Sequence, residues 1–166
     1  KKNNNFNEGL ASLDKLLEKY PKNLVLNTTK VEFLSYFNKF NDALDLANKF
    51  LEISPKNYPL SISKSQILLN MGQYFESEEI IRDQLLRKND SPELWFMLSE
   101  TQKTSQNIVG YHQSRAEYFL LLGQDEKALN QLEFALQLTQ NNFQVSDRIM
   151  TKIIEIKKSL QNSRGL

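Results

Sequence analysis

His112 is the only histidine in the 166-residue chain, and there is no cysteine. Imidazole is the side chain best suited to carry a proton near neutral pH or to hold a transition metal. A protein-held zinc needs three or four nitrogen, sulfur or carboxylate ligands. His112 has no second histidine to share a metal with, and its neighbours Gln113 and Arg115 are poor ligands, so it reads as a structural or surface residue. The absence of cysteine excludes disulfides and thiolate metal sites. Glu78-Glu79 and Glu93 are explained by a helix surface and a first helical turn, where a carboxylate is favoured by the helix dipole. No glycine-rich phosphate loop and no nucleophile elbow is present. The sequence therefore assigns no catalytic, cofactor or metal residue.

Charge excludes further classes. Twenty-one basic and 20 acidic residues leave a net charge of +1, so no general field attracts nucleic acid or an anionic membrane. Lys152, Lys157, Lys158 and Arg164, set against Asp147 and Glu155, read as the solvated side of an amphipathic cap and lack the interleaved aromatics that stack bases. No apolar run approaches the roughly 20 residues of a membrane span.

What the chain does carry is a period. Pro21-Lys22-Asn23 recurs as Pro55-Lys56-Asn57, 34 residues later, and one more step reaches Asn89 with Pro92 close behind. Gly9, Ala43 and Ser77 form a column of small residues, Leu17, Leu51 and Leu85 one of leucines, and Phe40 pairs with Tyr74 and Leu34 with Leu68. Small residues let two helices cross closely, and large apolar ones fill the space beside the crossing. One such hairpin cannot bury its apolar face alone, so neighbours must stack. Five glycines, four prolines and few β-branched runs point to helix throughout.

The expected fold is all-α, a right-handed tetratricopeptide-type solenoid of about nine helices with a C-terminal capping helix. The expected helices cover about residues 6–19, 24–37, 41–53, 59–71, 75–87, 92–103, 111–122, 125–138 and 142–161. The whole chain is expected to be one repeat domain with units 24–57, 58–91 and 92–125, a last hairpin at 108–139 and fraying after Gln161. Gly123 is expected to cap the seventh helix in a left-handed conformation, and Asp125 to start the eighth. Ala128, Leu129, Leu132, Ala135 and Leu136 fall on one face of that eighth helix. Trp95 is expected in the core. The phase changes near Ile108: Tyr111 stands where a small residue belongs, and the best helix-turn-helix match, Gly123 to Ala135, lies half a unit out of step.

In such arrays the first helix of each hairpin lines a groove. By phase this places Thr28, Glu32 and Tyr36, then Gln66 and Asn70, then Phe96, Glu100 and Lys103 at a candidate protein-binding groove. The set is mixed and mildly acidic. It lacks the paired lysine, arginine and asparagine that would hold a C-terminal carboxylate.

The stretch His112-Gln113-Ser114-Arg115-Ala116-Glu117-Tyr118-Phe119-Leu120-Leu121-Leu122-Gly123, with Ala128, Gln131-Leu132-Glu133, Ala135-Leu136 and Arg148-Ile149 after it and Ser91-Pro92-Glu93-Leu94-Trp95 before it, resembles the C-terminal repeat region of bacterial M48-type zinc metallopeptidases. The resemblance covers about residues 90–155. It implies a non-catalytic recruiting domain in the periplasm. Its expected partners are the peptidase domain of the same parent chain, outer-membrane protein substrates and their assembly machinery. Zinc would belong to that peptidase domain, because the His-Glu-x-x-His motif is absent here. The alternative is a stand-alone cytoplasmic adaptor or secretion chaperone that binds a peptide segment. No nucleic-acid partner and no membrane insertion is expected.

Overall fold

The computed structural model describes residues 2–139 and 141–164. Among them are nine helices and no strand: α1 Lys2–Lys19, α2 Leu24–Tyr36, α3 Phe40–Ile53, α4 Tyr58–Asn70, α5 Tyr74–Arg87, α6 Pro92–Thr104, α7 Ile108–Leu121, α8 Asp125–Leu138 and α9 Phe143–Arg164. Helix α9 continues past Gln161 to Arg164; Gly165 and Leu166, also expected to fray, lie outside the described residues.

Two kinds of turn join these helices. The tight kind closes α2 to α3, α4 to α5, α6 to α7 and α7 to α8. Each has one residue in the left-handed region, namely Asn38 (φ 60°), Gly72 (78°), Gln106 (62°) and Gly123 (67°). The next amide reaches back five residues to a carbonyl of the last helical turn: Lys39 to Leu34, Gln73 to Leu68, Asn107 to Gln102 and Gln124 to Phe119, at 2.8–2.9 Å. This is the Schellman closure, which satisfies carbonyls that a helix end leaves without partners. Glycine takes that conformation freely, whereas an L side chain is strained by about 1–2 kcal/mol. Gln106→Gly is therefore expected to raise stability by about 0.5–1 kcal/mol, because relief of strain exceeds the added flexibility of the unfolded chain. A urea midpoint that falls instead would contradict this.

The open kind of turn precedes α2, α4, α6 and α9. Here Asn23, Asn57, Ser91 and Asn142 accept a bond from the amide three residues on. Four residues after each of these caps a side chain donates back to the turn: Asn27 to Pro21, Ser61 to Asn57, Trp95 to Asn89 and Ser146 to Thr139. Trp95 is consequently half-buried, not a core residue as expected, since its indole N–H must reach the Asn89 carbonyl at 2.8 Å.

Turn spacing explains the change of phase. Left-handed residues recur at 34, 34 and then 17 residues. Helix α7 is thus flanked by the tight turn at both ends and packs on both α6 and α8. It is the second helix of one hairpin and the first of the next. Tyr111 is tolerated in the small-residue column because Gly110 takes over the close approach. A Cβ on Gly110 would lie 2.8 Å from Gln102 Nε2 and 2.6 Å from Asn107 Nδ2. Gln102, fully buried, accepts a bond from Ser114 at 2.7 Å, so this crossing is polar. Helix α8 starts at Asp125, as expected; the residue before it, Gln124, is the cap and makes no side-chain cap bond.

The chain divides into two compact units, Lys1–Ile80 and Ile81–Leu166. In the first, Val31, Leu34, Ala43, Ala47, Phe50, Leu60 and Ile67 form the core. Gly9 lets α1 approach α2, where an added Cβ would meet the Phe33 ring at 2.6 Å. Ser77 is buried and bonds the Ser65 carbonyl at 2.9 Å, tying the start of α5 to α4. In the second unit, Ala116, Ala128, Leu132, Ala135, Ile149, Ile153 and Ile156 close the core between α7, α8 and α9. Ion pairs Lys152–Glu117 and Lys157–Glu133 bind α9 to α7 and α8 at the rim.

Candidate protein-interaction site

In the first unit, α2 and α4 lie side by side. Between them runs a groove of about 240 Å³ lined by Leu24, Val25, Thr28, Thr29 and Glu32 of α2 with Asn57 and Pro59 at the head of α4. The period of α2 puts Val25, Thr28, Thr29 and Glu32 on one face. Small-molecule sites run to about 300–1,000 Å³, so this groove is sized for one or two side chains of a protein segment. Glu32 accepts from Ser63 at 3.3 Å across the two helices, and Thr28 donates to the Leu24 carbonyl at 2.8 Å. Of the residues predicted in this unit, Thr28 and Glu32 line the groove. Tyr36 is 75% exposed at the other end of α2, and Gln66 bonds Asn70 at 3.4 Å along the exposed side of α4.

In the second unit, Phe96, Glu100 and Lys103 share one face of α6 by their spacing of four and three. That face meets rings and a cation on α7. The Lys103 ammonium lies 5.9 Å from the Tyr111 ring centre, and the Phe96 and Tyr118 rings are 5.6 Å apart. Beside both rings is Arg115. Its guanidinium carbon is 5.3, 5.1 and 4.9 Å from the ring centres of Phe96, Tyr118 and Phe119. Its Nε is buried without a hydrogen-bond partner. Sequence reasoning set Arg115 aside as a poor metal ligand. The signal was present in the aromatic residues three and four positions on, which a helix places beside it.

His112 binds α7 to α8. Its Nδ1 donates to the Gln131 amide oxygen at 2.8 Å, and its ring centre is 4.9 and 5.5 Å from those of Tyr111 and Phe134. Among the described residues no group of three or more histidines or acids is placed to hold a metal, and no helix is long and apolar enough to cross a membrane. Glu93 serves the start of α6. The Ser91 hydroxyl donates to it at 2.8 Å, and this bond first, then a backbone amide and the charge of Lys88, holds its carboxyl below the usual carboxylate range.

Compared with known structures, the chain is similar to MamA from Desulfovibrio magneticus RS-1 (from residue 41 onward), with 13% identity and a TM-score of 0.63 over 95% of this chain and 89% of that one. It also matches a tetratricopeptide repeat protein from Parabacteroides merdae (14% identity, TM-score 0.55, 90% of this chain and 65% of that one). The fold is that of tetratricopeptide repeats. A third such protein, YrrB, described as having an unusual peptide-binding site, matches at 15% identity and a TM-score of 0.54 over 93% of this chain and 98% of that one. No protein-family model and no curated protein matches the sequence. At these identities the likeness carries the fold alone.

Proposed function

We propose that the chain is a non-catalytic interaction domain that holds a segment of a partner protein. The observation that carries this reading is the α2–α4 groove, which joins apolar Leu24, Val25 and Pro59 to the hydroxyls of Thr28 and Thr29 and the carboxylate of Glu32. A few apolar anchors with convergent polar groups suit a side chain and its flanking backbone. A tetratricopeptide fold and the described peptide site of YrrB accord with this. The test is fluorescence anisotropy with an array of labelled peptides. Wild-type chain is expected to bind a subset, and Val25→Arg, which fills the groove from an exposed position, should weaken at least part of that subset about tenfold. No binding by any peptide would remove the reading.

A finer reading is a recruiting arm of a periplasmic M48-type zinc metallopeptidase that acts on outer-membrane proteins. It is favoured by the resemblance carried by His112 to Gly123 and Ala128 to Leu136. The parent gene is then expected to encode a His-Glu-x-x-His domain upstream of Lys1. A gene without one leaves the stand-alone adaptor or secretion chaperone.

A further inference from the structure

We infer that Arg115 is a carboxylate-binding site that takes a glutamate side chain, flanked by apolar residues, from a partner protein. The inference rests on the segment-binding reading above and places a second, charged contact on the α6–α7 face. Partly buried arginines ordinarily meet a carboxylate or a carbonyl, because their donors are costly to leave unpaired. Among the described residues Arg115 has neither a hydrogen bond nor an ion pair, and its Nε is buried without a partner. The rings of Phe96, Tyr118 and Phe119 hold the guanidinium by cation–π attraction but offer it no acceptor. The residue is only half-buried, so the far end of the fork is what a ligand can reach.

That edge matches the two oxygens of a carboxylate. Phe96, 41% exposed beside Tyr118, supplies an apolar shelf next to it. Lys103, over Tyr111 one helical turn away, adds a second cation, while Glu100 on the same face of α6 opposes a large negative charge. A phosphate dianion, which is best held by several donors, is disfavoured on those grounds. The burial of Nε sets this end of the guanidinium below the surface, which favours a carboxylate on a two-carbon stem over a chain terminus and its backbone.

The experiment uses the whole chain and a peptide array in which each sequence appears with blocked ends, with a free C-terminus, and with glutamate replaced by glutamine or phosphoserine. Blocked peptides with glutamate between leucines should bind about tenfold or more tightly than their glutamine counterparts, in keeping with a charge-assisted pair. Arg115→Gln should erase that preference. Arg115→Lys, which keeps the charge and loses the planar fork, should recover only part of it, and it keeps the test decisive if the glutamine variant fails to fold. The inference is overturned if Arg115→Gln folds and keeps the preference, if only free C-termini bind, or if phosphoserine outranks glutamate. Peptides that bind with no acidic preference overturn this inference and leave segment binding standing; an array that is silent throughout removes both.

Discussion

Replacing Ile149 by alanine is expected to cost about 2–5 kcal/mol, among the largest losses any single truncation in this chain should cause. Ile149 is 2% exposed and packs in the core of the second unit with Ala116, Ala128, Leu132 and Ala135. Three of the seven residues of that core are alanines, which have no side-chain rotamer with which to fill the space left behind. Ile154, on the same helix, is 58% exposed. Ile154→Ala should change stability by no more than about 0.5 kcal/mol. Urea unfolding reads both, and the slope should stay unchanged, which marks a change in stability alone. Equal costs for the two variants would show that α9 presents a different face to α7 and α8.

The residues that determine the repeats are local, and local signals are what a sequence displays. Asn38, Gly72 and Gly123 stand where the left-handed turn residues fall, and Asn23, Asn57 and Ser91 where the caps fall, so helix ends are legible to within a residue or two at most junctions. The stripe of Ile149, Ile153, Ile156 and Leu160 is legible for the same reason; the three isoleucines are buried and Leu160 is half-buried. Tyr111 misleads because a column position stands in for a contact. The close approach belongs to Gly110, one residue earlier, and depends on where Gln102 lies across the hairpin. Trp95 misleads because its size suggests the core while its N–H demands a carbonyl. Helical spacing places Thr28 and Glu32 on one face of α2 but cannot give Asn57 and Pro59 as the opposite wall. Arg115 becomes a candidate only when Phe96, on another helix, is seen beside it.

Ala43→Phe is expected to lower stability by about 1–3 kcal/mol or more. Ala43 has no exposed surface and sits in the first core with Val31, Leu34 and Ala47. Helices α2 and α3 approach there because the side chain is one methyl group, and a ring has no empty volume to enter. The small-residue column makes a sharper comparison possible. Thirty-four residues on, Ser77 is equally buried and donates to the carbonyl of Ser65, whose counterpart one period earlier is Val31. Ala43→Ser should therefore find the Val31 carbonyl, keep its hydroxyl paired and cost less than about 1 kcal/mol, whereas an unpaired buried hydroxyl would cost about 1–3 kcal/mol. Thermal unfolding followed by circular dichroism separates the outcomes. A phenylalanine variant that melts with the wild type would remove the close crossing of α2 and α3. A serine variant as damaged as the phenylalanine one would show that the two hairpins do not share a geometry, and that their common period of 34 residues is a spacing of turns alone.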